Sequence, residues 1–188
     1  TIVLAGAGTL RGHVRADGEA LGQAVMRVNY TDPAMVRSDS GVSTDGEGAY
    51  EFVDMPLGEV MVSAQMGTRS LRRRVDITPG STFKLDFDFA PGAGALAGNV
   101  TLDGRPCTSG LVKLVYDGSE PVEDAACDIE AGKFRAEGLV PGDAQATMYV
   151  WPPEQEGVAY VERRPVRIPA NGETRLDVSL DSKTAARE

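Results

Sequence analysis

The side chains able to do chemistry are few in this chain of 188 residues: two cysteines, one histidine and one tryptophan among many carboxylates. Cys107 and Cys127 both fall in the second half. In an oxidising compartment a bridge between them would close that segment and stabilise it by about 3 kcal/mol. Otherwise they are two unpaired, partly buried thiols, and sequence spacing does not choose between these alternatives. His13 has no Ser, Cys or ligand cluster around it in the sequence, and one imidazole with two cysteines far away makes a poor zinc cage. It reads as a solvated strand residue. Acidic turns at Asp39, Asp45 and Glu47, and at Glu120, Glu123, Asp124 and Asp128, raise the question of calcium. Calcium asks for about six to eight oxygens, with donors at alternate residues and a glycine to turn the loop. Neither cluster has that loop, so these read as solvated turn carboxylates. Gly6-Ala7-Gly8 and Gly12 after Ile2-Val3-Leu4 look like a dinucleotide-binding turn, but that turn works only where a helix begins. Here His13–Gly18 runs into another turn. No nucleophile–base pair, metal cage or cofactor cradle can be assembled, and the chain reads as a non-enzyme with no cofactor.

Two stretches look suited to recognition. Arg69-Ser70-Leu71-Arg72-Arg73-Arg74 is a dense basic run on an acidic chain, and Arg72, Arg73 and Arg74 are candidates for meeting an acidic partner. The competing reading is a charged strand end that discourages edge pairing. Tyr149-Val150-Trp151-Pro152-Pro153, followed by Tyr160, gathers the single tryptophan and two tyrosines around a stiff diproline. Aromatic rings held by proline offer contact area at low entropy cost, so Tyr149, Trp151 and Tyr160 are candidate binding residues. Packing of the same rings into a core or a junction is the alternative.

The totals narrow the setting. A net charge of −9 disfavours nucleic acid and anionic membrane surfaces as partners. No apolar run is long enough to span a bilayer, and Thr1–Leu4 is too short for a signal-peptide core. The absence of an initiator Met suggests a piece of a longer protein. With 22 glycines, 11 prolines and no long helical periodicity, an all-β fold is expected.

The elements are organised by repetition. Gly6–Val14 returns as Gly92–Val100, Asp17-Gly18 as Asp103-Gly104, and Gly48-Ala49-Tyr50 as Gly132-Lys133-Phe134. Val75-Asp76-Ile77 corresponds to Val166-Arg167-Ile168, and Leu85-Asp86-Phe87 to Leu176-Asp177-Val178. Between the matched Gly58 and Val75 lie 17 steps and between Gly142 and Val166 lie 24, so the second copy is seven residues longer across the aromatic stretch. Each copy parses into about seven short strands with Asp-Gly, Gly and Pro turns, and Phe83, Leu85, Phe87 and Phe89 give the cleanest period-two pattern. The expected fold is therefore two tandem seven-stranded Greek-key β-sandwiches, residues 1–91 and 92–181, closely joined at Pro91-Gly92, with a polar tail at 182–188 that frays. Thr1–Leu4 is expected to be the tail of a preceding repeat's last strand or a strand added to the first domain.

The pattern Gly-x-Leu-x-Gly-x-Val, Asp-Gly, an alternating strand, Asp-x-x-Gly-x-Tyr-x-Phe and x-x-Pro-x-Gly resembles carboxypeptidase regulatory-like domains of the transthyretin-like (prealbumin-like) class. These are similar to collagen-adhesin B-type repeats. The resemblance covers nearly the whole chain twice; in the second copy Phe134 replaces the tyrosine, and the proline shifts to Val140-Pro141-Gly142. It implies a non-catalytic structural or adhesive module of an extracytoplasmic (periplasmic, surface or secreted) protein, its partners being other domains of the parent chain or another protein. The alternative is a polysaccharide-binding accessory module using the Trp151 loop. The lysine–asparagine isopeptide bond of some adhesin relatives needs a lysine in the opening strand, and Leu10–Val14 and Leu96–Val100 hold none.

Overall fold

The computed structural model describes residues 7–30, 40–116, 122–152 and 159–187. The chain divides into two compact units, Thr1–Ala90 and Pro91–Glu188. Both are all-β, and among the described residues there is no helix, hence none long and apolar enough to cross a membrane. The inferred Thr1–Leu4 strand lies outside the described residues.

In the first unit, β1 (Gly8–Ala16) is the spine of one sheet: it pairs with β2 (Glu19–Ala20) and β5 (Ala49–Met55), and runs parallel to β8 (Thr82–Lys84) and β9 (Phe87–Phe89). The facing sheet has the order β7-β6-β3-β4, from β3 (Val25–Tyr30), β4 (Ser40–Ser43), β6 (Gly58–Met66) and β7 (Arg69–Ile77). Alternation buries one face of each sheet. Leu10 and Val14 meet Met26, Val28, Val60, Val62, Phe87 and Phe89 in one core. Tyr50 and Phe52 are buried side by side, ring edge to face at 6.0 Å. Counting β8 and β9 as one interrupted strand and setting β2 aside leaves seven principal strands.

In the second unit the spine is β10 (Gly94–Leu102), which pairs with β11 (Arg105–Pro106), β14 (Lys133–Leu139), β17 (Gly172–Arg175) and β18 (Val178–Leu180). The facing strands are β12 (Ser109–Tyr116), β13 (Val122–Glu130), β15 (Gly142–Val150) and β16 (Tyr160–Ile168), joined at the edge by β19 (Ala186–Arg187). Their core gathers Leu96, Val100, Leu114, Ile129, Phe134, Met148 and Ile168. The tail expected to fray instead bends back: Ala186 pairs with Val161, and the Ser182 N–H donates to Asp103 Oδ1 at 2.9 Å.

The break between β8 and β9 is a local crossing, not a slip. Leu10 lies opposite Phe83 and Val14 opposite Phe87, the same offset on both sides of Leu85-Asp86. At that point the backbones nearly touch: a Cβ on Gly12 would stand 1.8 Å from the Leu85 carbonyl oxygen, and one on Gly98 1.8 Å from that of Leu176. Only glycine permits this approach.

Turn chemistry follows the sequence closely. Asp17-Gly18 and Asp103-Gly104 are two-residue hairpin turns with both residues at positive φ, which suits the twist of the flanking strands. The β13–β14 hairpin uses Ala131-Gly132 in the same conformation, with Ala131 at φ 49°. A β-bulge in β5, and another in β14, places Asp54 and Gly138 in the left-handed region at matching positions.

Two stability changes follow, both read through unfolding in urea by the fluorescence of Trp151, which reports on the second unit. Gly98→Ala should lower the unfolding free energy by about 2–3 kcal/mol, because backbone atoms cannot yield to the new methyl. Ala131→Asn should raise it by about 0.5–1 kcal/mol, because asparagine tolerates the left-handed turn that alanine resists.

Candidate functional site

Polar groups at the crossing are spent on structure. In the first unit the Leu85 N–H donates to Arg11 O (2.9 Å), the Tyr50 hydroxyl donates to Leu85 O (2.6 Å) and the His13 N–H donates to Asp86 Oδ1 (2.9 Å). In the second, the Leu176 N–H donates to Ala97 O (2.9 Å), and Asp177 Oδ1 accepts from Asn99 N–H (2.9 Å) and Nδ2 (2.8 Å). Phe134 stands at the Tyr50 position without a hydroxyl. Asp86, exposed between β8 and β9, is thus also a backbone cap between residues far apart in the chain. Partial burial raises its carboxyl pKa, but the His13 N–H and then Lys84 outweigh this and hold it below the usual range. Arg175, then the Asn99 side chain and backbone, do the same for Asp177. Burial, with Asp86 adding its charge, raises the Tyr50 pKa. The His13 ring is half exposed, its Nδ1 3.7 Å from Asp86, and no catalytic partner joins it among the described residues.

Of the two alternatives open for Cys107 and Cys127, the structure has free thiols. Cys107 lies in the core, its carbonyl accepting from the Gly132 N–H. Cys127, on β13, has its sulfur against the Arg135 N–H. Burial raises both thiols to about 11, against a small lowering by the Arg135 N–H at Cys127. They are protonated and poorly nucleophilic at neutral pH.

Of the calcium candidates, Asp39 and Glu120 lie outside the described residues. Asp45 Oδ1 accepts the N–H groups of Glu47 (2.9 Å) and Ala49 (2.8 Å), an Asx turn. No three His, Cys, Asp or Glu residues among the described ones could hold a metal together.

The basic run is divided by strand alternation. β7 pairs with β6 along its length, Ser63 opposite Arg72, Val62 opposite Arg73 and Met61 opposite Arg74. Arg72 and Arg74 therefore share one face and Arg73 takes the other. Arg74 lies 3.4 Å from Glu59. Arg69 is buried, its guanidinium 5.4 Å from the Phe89 ring centroid and donating to Ala90 O at 2.9 Å. Arg72, Arg73 and Arg74 do not form one continuous basic patch.

The aromatic candidates Trp151 and Tyr160 line one groove but differ in burial. Tyr160 is 2% exposed, a core residue with Arg187 over its ring. Trp151 is 40% exposed, with Tyr149 stacked on it at 6.5 Å and 15°. A groove of about 570 Å³ opens beside Trp151, walled by Asp103, Arg105, Pro106, Thr108 and Pro152. The Asp103–Thr108 wall carried no sequence signal of binding, because only the return of β11 beside Trp151 brings it there.

No family model and no curated protein matches the chain. Among solved structures, the Bacillus anthracis TIE protein is 18% identical over 94% of this chain and 34% of its own, with a TM-score of 0.40. The chain thus spans about a third of that protein's length. GBS52, the minor pilin of Streptococcus agalactiae, is 13% identical over 93% of this chain and 96% of its own, TM-score 0.42. A DUF3823 family protein from Parabacteroides merdae is 14% identical over 87% and 98%, TM-score 0.38. Likenesses this loose carry no function to this chain.

The caps give a pH prediction. Asp177 is held below its unfolded value near 3.9, so the stability it contributes is present above about pH 4 and is lost as pH falls through the folded value. Asp177→Asn should melt below wild type at pH 7, the gap closing toward pH 3. A constant gap across a melting series would contradict this.

Proposed function

We propose that the chain is a non-catalytic structural and adhesive module of a larger extracytoplasmic protein. It comprises two tandem carboxypeptidase regulatory-like sandwiches, over 1–91 and 92–181, that space neighbouring domains and offer loops to a protein partner. The observation that carries this reading is how polar groups are used. The chemically capable side chains at the crossings, Asp86, Asp177, Tyr50 and Asn99, are bound to backbone or to each other, and both thiols are free and held protonated. The compartment comes from the sequence resemblance.

A second reading, a carbohydrate-binding accessory module, is favoured by one observation: Trp151 is exposed on a backed, groove-lining ring.

A spacer must stay closed under proteolysis. β7 carries four arginines yet is paired residue by residue with β6, so trypsin can cut there only after the sheet opens. The native chain should survive trypsin between Arg69 and Arg74 until urea unfolds it, and should turn over no peptide, ester or glycoside substrate. Ready native cleavage there, or turnover by the pure chain, would sink the proposal.

A further inference from the structure

The two units close the same hairpin differently. In the first, Met66 pairs with Arg69 across two residues, Gly67 and Thr68. In the second, Val150 pairs with Tyr160, leaving nine residues between them. This is where the seven extra residues fall, and where the only tryptophan of the chain sits. A loop that the fold can close with two residues is not extended by any need of the sandwich.

The described part of that loop is held in place. The Trp151 backbone N–H donates to Ser109 O at 3.2 Å, Tyr149 stacks on the indole, and Pro152 follows. A ring fixed in this way is ready for a ligand without ordering cost. Across the groove, the Asp103 carboxylate is already engaged by the Ser182 N–H, which, first among its causes, keeps its pKa low. Arg105, exposed on the same wall, acts on Asp103 through its charge but forms no ion pair or side-chain hydrogen bond among the described residues. Among the described residues the groove therefore presents one flat apolar plane and, beside the Asp103 carboxylate, one guanidinium fork whose N–H groups are not hydrogen-bonded.

We infer that this groove is a subsite for an acidic sugar, a pyranose stacked on Trp151 whose carboxylate is held by Arg105. The inference rests on the carbohydrate-binding reading and narrows it. The C–H face of a pyranose suits an indole plane, and a planar carboxylate suits the fork of arginine. The chain's net charge of −9 opposes an anion at a distance, but screening beyond about 8 Å at physiological salt leaves the nearby groups to decide, and of these Asp103 already accepts the Ser182 N–H.

The test is a titration of the whole chain with trigalacturonate and with an uncharged galactose trisaccharide, followed by Trp151 fluorescence and by retardation in gels carrying each sugar. Trigalacturonate should bind about tenfold more tightly than the neutral sugar, as expected for a charge-assisted bond. Arg105→Gln should erase that preference, Trp151→Ala should abolish retardation, and Trp151→Phe should retain part of it with an unchanged circular dichroism spectrum. Equal binding of both sugars, indifferent to Arg105→Gln, would overturn the acidic-sugar inference and leave the carbohydrate reading standing. Silence toward both sugars, or binding of a proline-rich peptide in their place, would overturn both.

Discussion

The contact on which each unit depends is the near-collision of two backbones at Gly12 with Leu85, repeated at Gly98 with Leu176. There the central strand passes its parallel partner from one half of the last strand to the other while the offset stays fixed. A ladder that continued straight through would satisfy its own N–H and C=O groups. A ladder interrupted by a close approach cannot, and an unpaired backbone group shielded from water is costly. The aspartate immediately before the strand resumes accepts one stray N–H, and the spine carbonyl before the glycine accepts another. Glycine, capping aspartate and last strand are thus one device, and none works without the others.

The two copies solve the remaining polar problem with different side chains. In the first, the Tyr50 hydroxyl reaches the Leu85 carbonyl; in the second, Phe134 has no hydroxyl, and Asn99 instead adds a second bond to Asp177. The end of each core is closed by a cation over a ring, but the parts are exchanged: Arg69 covers Phe89 in the first unit, whereas Arg187 covers Tyr160 in the second. Because these contacts are satisfied locally, each copy can change its hairpin without disturbing its crossing. This leaves the second copy free to carry the extended Trp151 segment.

Binding surface is therefore separated from folding machinery. The crossing sits mid-strand with its polar groups engaged, while Trp151 and Arg105 stand at a loop end, where exposure costs the core little. A basic run that looks continuous along the chain, Arg72-Arg73-Arg74, loses that character once alternation sends its members to opposite faces.

The sequence by itself determined whatever depends on neighbours along the chain. Period-two alternation marked the strands and their buried faces, Asp17-Gly18 and Asp103-Gly104 marked hairpins that need positive φ, and the matched glycines exposed the seven extra residues beside Trp151. Only the tertiary structure decided what depends on distance across the fold. Asp86 and Asp177 gained their roles from partners 73 and 78 residues away. Both thiols are free, Cys107 buried in the core and Cys127 on β13 against the Arg135 N–H. Tyr160 entered the core while Trp151 remained outside, and Arg105 reached the groove only by the return of β11. Local backbone chemistry can be read from adjacent residues; which side chain meets which across a sandwich is set by strand register, and register exists only once both sheets have closed on the core.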